Sequence, residues 1–229
     1  VISALRKGAA DYFKKPFSAA EIWTSIERTE RFKILNNDLR EVKMQNTRLK
    51  SRIQTSENIQ IIGNSTSINQ IKEQMTMVAQ TPDTSVLILG ESGTGKELVA
   101  RGIHALSARS DEPFGAVNMA AVPESLFESE FFGHKKGSFT GAVADKAGWF
   151  ETAHKGTLFF DEVGEMSLAL QVKMLRVLED RKFTRVGAQK EQPFDVRVVA
   201  ATNKTVQELS NGKDFRLDLF HRLGTFIIH

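Results

Sequence analysis

Three glycines and a lysine fall within seven residues in Gly90-Glu91-Ser92-Gly93-Thr94-Gly95-Lys96, and Glu97 follows. Glycines let backbone N–H groups turn inward onto phosphate oxygens. A helix opening at the end of such a loop adds partial positive charge. Lys96 supplies a point charge for terminal phosphates. The apolar run Val86–Leu89 precedes the loop, and Leu98, Val99, Ile103 and Leu106 follow at helical spacing. Strand, glycine loop, lysine and helix together make a P-loop, whose ligand is a nucleotide. The competing reading is a glycine-rich turn without a ligand. Glu97 stands where most P-loops carry Ser or Thr for Mg2+. A carboxylate there does not copy a hydroxyl in the inner sphere, so more of the coordination must come from another carboxylate and from water.

About 65 residues after Lys96, the run Gly156-Thr-Leu-Phe-Phe ends in Asp161-Glu162. Two acids at one strand end suit two tasks: Asp161 to hold Mg2+ through water, Glu162 to polarise an attacking water as general base. An exposed acidic strand end is common, so the pair acquires meaning only beside the P-loop. Thr202-Asn203 ends the run Val196–Ala200, and Asn118 ends Phe114–Val117. The amide of Asn203 can orient the water or sense the γ-phosphate, and an amide at Asn118 can hydrogen-bond Glu162 and hold it away from the water. Asn also simply terminates strands. Arg216 and Arg222 carry charge suited to a transferring phosphoryl group. Six residues apart on a helix, their guanidinium groups would point about 120° apart. Surface charge on an amphipathic helix explains them equally well.

These groups must be positioned by five apolar runs separated by helical patterns: Val86–Leu89, Phe114–Val117, Thr157–Phe160, Val196–Ala200 and Thr225–Ile228. That alternation predicts a mostly parallel sheet covered on both faces, an α/β fold with its ligand at the carboxyl ends of the strands. Between the second and third runs lies Gly137-Ser138-Phe139-Thr140-Gly141-Ala142. Phe139 is either buried or presented to a partner, since loop tips usually avoid large apolar groups.

With 229 residues, 41% hydrophobic and 26% charged, the chain has room for one domain and additional segments. No apolar run reaches 18 residues, which excludes a spanning helix from this sequence. It contains no cysteine, which excludes disulfides and thiolate metal sites and fits a cytoplasmic setting. A pI near 9.1 reflects only 31 basic against 28 acidic residues. No basic cluster carries interleaved aromatics, so direct nucleic-acid binding finds no support here. Residues 1–29 read as a helix end, a short strand around Tyr12 and a helix capped by Ser18. Residues 30–58 carry Phe32, Leu35, Leu39, Val42, Asn46, Leu49 and Ile53 at alternating spacings of three and four. This is a heptad seam with Asn46 at an a position, which favours a parallel dimeric coiled coil over a lone amphipathic helix. Residues 59–229 form the main domain.

Gly137–Ala142 resembles the Gly-Ala-Phe-Thr-Gly-Ala signature of bacterial enhancer-binding proteins, AAA+ ATPases that activate sigma-54 RNA polymerase. Ser138 replaces an Ala and leaves the Phe-Thr pair intact. Gly90–Glu97 matches that family's Walker A form, Glu97 included. Asn118 matches its glutamate-switch residue, Thr202 and Asn203 its sensor I, and Arg216 and Arg222 its paired trans-acting arginines. The segment Gly8–Phe17 is similar to the last quarter of a response-regulator receiver, with Tyr12 as switch aromatic and Lys15 as phosphoryl contact. The resemblance therefore implies an NtrC-type activator with an AAA+ three-layer sandwich, a dimerising linker and a hexameric ring using ATP and Mg2+. It implies contact of Gly137–Ala142 with sigma-54 holoenzyme. It further implies that this chain is a fragment. A phosphoacceptor pocket read by a histidine kinase would lie before Val1, and a lid and helix-turn-helix DNA-binding domain after His229. Two other readings stay open: a different AAA+ remodelling ATPase, or a nucleotide-binding dimerisation module without turnover.

Overall fold

The computed structural model describes Ser18 and residues 61–229. The receiver-like segment with Tyr12 and Lys15, and the heptad seam, lie outside the described residues. The chain divides after Asn58, and residues 61–229 belong to the second unit.

Five strands form one parallel sheet: β1 (Val86–Leu89), β2 (Phe114–Asn118), β5 (Thr157–Asp161), β8 (Arg197–Thr202) and β9 (Phe226–Ile228). Their order is β2-β5-β8-β1-β9. All five predicted runs are present, β1 unchanged and the other four extended or trimmed by a residue or two. The chain leaves β1 in one direction to build β2, β5 and β8, then returns to lay β9 on its other side. β1 thus sits at a topological switch, where ligands of open α/β sheets bind.

Alternation along the strands sorts side chains into two cores. Leu87, Leu89, Leu158, Phe160, Val198 and Ala200 face one layer. Val86, Ile88, Phe159, Val199 and Ala201 face the other. The second face is covered by α1 (Thr66–Ala79) and α2 (Lys96–Ala105) through Met75, Val78, Ala100 and Ile103. The first is covered by α3 (Phe127–Phe132), α4 (Trp149–Thr152), α5 (Leu168–Asp180) and α7 (Leu217–Leu223). A further helix, α6 (Val206–Ser210), opens with a capping box between Thr205 and Glu208. The result is the three-layer sandwich expected. Among the described residues no helix is long and apolar enough to cross a membrane.

Two short antiparallel pairs emerge beside this frame: β3 (Gly133–His134) with β4 (Lys146–Ala147), and β6 (Lys182–Thr184) with β7 (Glu191–Pro193). Phe131, Phe150, Phe183 and Phe194 pack as a ring cluster beneath them, with centroids 4.5–6.4 Å apart. Buried aromatics therefore fix the base from which Gly137–Ala142 projects.

Arg197, only 1% exposed, begins β8 at the end remote from the P-loop. It donates to the Val78 carbonyl at 2.6 Å, while its Nε and Nη1 have no partner. Burial pushes the guanidinium down to about 10. The Val78 carbonyl also accepts from Thr81 Oγ1 at 2.8 Å, so it keeps a donor without Arg197. Arg197→Met is expected to leave stability unchanged or raise it by about 1–3 kcal/mol, read as the thermal unfolding midpoint.

Candidate functional site

The carboxyl ends of four neighbouring strands converge. Leu89 pairs with Thr202, and Gly90 N–H donates to the Thr202 carbonyl at 3.3 Å. Asn118 and Asp161 are register partners at the ends of β2 and β5. This register brings together residues that lie far apart in the sequence.

The P-loop runs from Gly90 to Gly95 and opens α2 at Lys96. Glu91, Ser92, Gly93 and Thr94 are exposed. Gly93 and Gly95 take φ of 79° and 88°, a region closed to most side chains. Thr94 Oγ1 donates to the Glu91 carbonyl at 2.9 Å. Lys96 is buried, and its ammonium donates to the Gly90 and Glu91 carbonyls, both at 2.9 Å. An ammonium has three donors, so one is left for a phosphate oxygen. Glu97 points away along α2: its carboxylate accepts from Arg101 at 2.6 and 2.9 Å. That ion pair is exposed and adds little stability.

Asp161 Oδ1 accepts the Glu162 N–H at 3.0 Å. Glu162 adopts φ 54° and ψ 42°, a left-handed conformation that costs a non-glycine residue about 1–2 kcal/mol. Its Oε2 is buried without a partner. A strained backbone and an unpaired buried carboxylate oxygen together point to function rather than to stability. Thr202 is fully buried, and its Oγ1 accepts the Lys204 N–H at 3.2 Å. Asn203 is exposed at the strand end. Asn118 does not hold Glu162 as expected. Its Oδ1 caps the short helix Met119–Ala121 by accepting the Ala120 N–H at 2.9 Å.

Arg216 differs from its sequence reading. It is the extended N-cap of α7, with φ −74° and ψ 132°, so the helical 120° rule does not apply to it. Its guanidinium donates to Asp218 at 2.6 and 3.0 Å, and this bond holds the Asp218 carboxyl below its usual value. Arg222, inside α7, donates to the Leu178 carbonyl at 2.7 Å.

Gly137–Ala142 lies at the tip of the β3–β4 excursion. Gly137 and Gly141 have φ of 80° and 104°, and a Cβ on either would meet nothing within 4 Å. Backbone conformation, not space, demands glycine at these two points. Phe139 is 41% exposed, with its ring edge-on to His134 at 4.9 Å. Thr140 is exposed, and Ala142 is buried. The Ser138 hydroxyl is buried without a partner, and its Cβ lies where a side chain on Gly187 would sit. Asp145 braces the loop by accepting from Lys135 Nζ at 2.7 Å and Lys136 N–H at 2.8 Å. Those bonds, Lys135 first, hold its carboxyl below the usual range.

Two residues that belong to no sequence motif support the site. The Lys204 ammonium donates to the Gly164 carbonyl and pairs with Glu165 at 3.2 Å, tying β8 to the turn after Asp161-Glu162. Gln171 is 0% exposed on α5 and makes three hydrogen bonds. A lone amide within the apolar stripe Leu170, Met174, Leu175 and Leu178 was the available signal.

No three His, Cys, Asp or Glu residues among those described gather to hold a metal alone. Mg2+ takes one or two carboxylates and completes its shell from phosphates and water. Asp161 retains Oδ2 for that purpose, since only its Oδ1 is used.

Fold and site define a P-loop nucleotide-binding α/β domain. Residues 61–229 match the model of the Sigma-54 interaction domain, and the chain belongs to that family. It is 44% identical over all 229 residues to Regulatory protein AtoC of Escherichia coli (strain K12), covering 48% of that protein. It is 43% identical over 97% of its length to DNA-binding transcriptional regulator NtrC of Rhizobium meliloti (strain 1021), covering 44% of it. NtrX from Brucella abortus in complex with ATP shares the fold at a TM-score of 0.67 and 35% identity, over 99% of this chain and 48% of that one. The chain thus spans about half the length of the curated relatives it matches.

Proposed function

We propose that this domain hydrolyses ATP within a homo-oligomeric ring and uses the energy to press the Phe139-Thr140 loop against sigma-54 RNA polymerase. One observation carries the reading. The P-loop lysine and the Asp161-Glu162 pair sit at clustered strand ends, with Glu162 strained and its Oε2 unpaired. Gly90–Lys96 binds the phosphates, with Lys96 on the terminal ones. Glu162 takes the proton of the attacking water. Thr202 and Asn203 orient that water or sense the terminal phosphate, and Asn118, on leaving the Ala120 N–H it now accepts from, engages Glu162 and so sets when that residue acts. Arg216 and Arg222, lent by a neighbouring subunit, offset charge developing on the transferred group. Mg2+ held through Asp161 would supply charge neutralisation between the phosphates when bound. The structure in complex with ATP of the Brucella abortus relative supports the choice of nucleotide.

Residues 30–58 act in this reading as a dimerising coiled coil, and residues 1–29 as the end of a receiver served by a histidine kinase. Lys15 and Tyr12 are its phosphoryl contact and switch aromatic. DNA is bound by a separate C-terminal domain, in the cytoplasm. An exposed aromatic held on a braced, glycine-bounded tip supports a protein contact rather than a core role. Phe139→Ala and Thr140→Ala are each expected to weaken sigma-54 binding at least 30-fold, about 2 kcal/mol. ATP turnover should stay within about threefold of wild type, since neither residue lies at the strand ends. Retained sigma-54 binding in both variants would remove the loop from the contact.

A further inference from the structure

Gln171 spends its whole amide on two segments that the sequence keeps far apart. Its Nε2 donates to the Met166 carbonyl and to the Asp214 carbonyl, both at 2.9 Å. Its Oε1 accepts the Arg216 N–H at 2.8 Å. Met166 closes the short helix Val163–Glu165 that follows the Asp161-Glu162 pair. Asp214 and Arg216 flank Phe215, which is 2% exposed and so pins the start of α7 to the core. Arg216 has no side-chain cap of its own. In a capping box, the N-cap N–H is satisfied by a Glu or Gln three residues on, within the same helix. Here that position is Leu219, and Gln171 of another helix supplies the acceptor instead.

We infer that Gln171 is a positioning residue: it sets the backbone of Arg216 from the turn behind Glu162, joining a subunit's own nucleotide site to the arginine it lends its neighbour. The inference rests on the ring reading with trans-acting arginines. A buried amide with both donors and its acceptor engaged has no freedom to follow one segment alone. Movement of the Met166 carbonyl therefore passes to the N-cap of α7. A bland structural role would confine the effect of its loss to the subunit that carries it.

Subunit mixing in the full-length protein separates the two. Gln171→Met conserves volume and removes all three hydrogen bonds. Alone it is expected to lower kcat about 10- to 100-fold, with KM for ATP within about threefold because Lys96 and the P-loop are untouched. Mixed with Glu162→Gln subunits, it should regain activity. An interface with a Gln171→Met subunit owning the ATP and a Glu162→Gln subunit lending Arg216 has every required part. Random 1:1 mixing makes about a quarter of interfaces of this kind, so turnover should rise several-fold above the mean of the two variants alone. Turnover no higher than that mean overturns the inference. Arg216→Ala mixed with Glu162→Gln is run beside it. Recovery there without recovery for Gln171→Met overturns the inference alone; no recovery in either overturns the trans-arginine reading and the inference with it. Binding of a fluorescent ADP analogue checks that Gln171→Met is folded. If it is not, Gln171→Asn, which keeps a buried amide but is one methylene too short to hold both segments, is measured in the same mixtures with the same outcomes.

Discussion

Glu162→Gln is expected to lower ATP turnover by about 10²- to 10⁴-fold and to leave nucleotide affinity within a few-fold. The substitution keeps shape and removes only the basic oxygen. Two observations support so large an effect. Glu162 is held in a left-handed backbone conformation, and its Oε2 is buried with no hydrogen-bond partner. Neither feature stabilises the fold, and the change to glutamine removes no hydrogen bond from Oε2. Unfolding temperature should therefore stay level or rise while turnover falls. Phosphate release and equilibrium binding of an ADP analogue, measured on the same preparation, check both halves. Turnover within threefold of wild type would remove Glu162 from the mechanism and leave its strain without a functional account.

Gly156→Ala should destabilise the domain by at least about 3 kcal/mol. Gly156 lies immediately before β5, and Pro113 immediately before β2. A Cβ at Gly156 would fall 1.9 Å from the Pro113 carbonyl oxygen and 2.8 Å from its carbon. The obstacle is backbone, so no rotamer change relieves it. That same carbonyl accepts the Thr157 N–H at 2.9 Å, the first link of the β2–β5 pairing. Forcing it aside disturbs the register that sets Asn118 beside Asp161 at the far end of both strands. Gly115→Ala is the contrast. Its Cβ would meet the side-chain tip of Leu158 at 2.9 Å, and a flexible tip can move. For a domain of this size the first change lowers the unfolding midpoint by about 6–12 °C, and the second by much less. Equal midpoints would show that the β2–β5 start can open without cost.

Much of this was legible in the chain itself. The five strands of the parallel sheet are readable because buried parallel strands are short apolar runs, and each of these five overlaps one run. The P-loop was readable because its chemistry is local: glycines, lysine and the helix start lie within eight residues. The tip at Phe139 was readable because flanking glycines signal a special backbone. Gln171 does not stand out in the sequence, because an amide in an apolar stripe shows no purpose without its partners 5, 43 and 45 residues away. Spacing alone puts Arg216 inside a helix that in fact begins one residue later. The bond of Asn118 Oδ1 to the Ala120 N–H is not visible in spacing either, although Asn readily bonds local backbone.

By itself, the sequence determined the ligand class, the parallel α/β architecture and the loop that points outward, because each rests on contacts or conformations within a few residues. Only the tertiary structure decided how Glu162 is strained, which groups are left unpaired, and that Gln171 ties the Asp161-Glu162 turn to Arg216. Those depend on strand register and helix docking across 40 or more residues, where a local pattern carries no geometry.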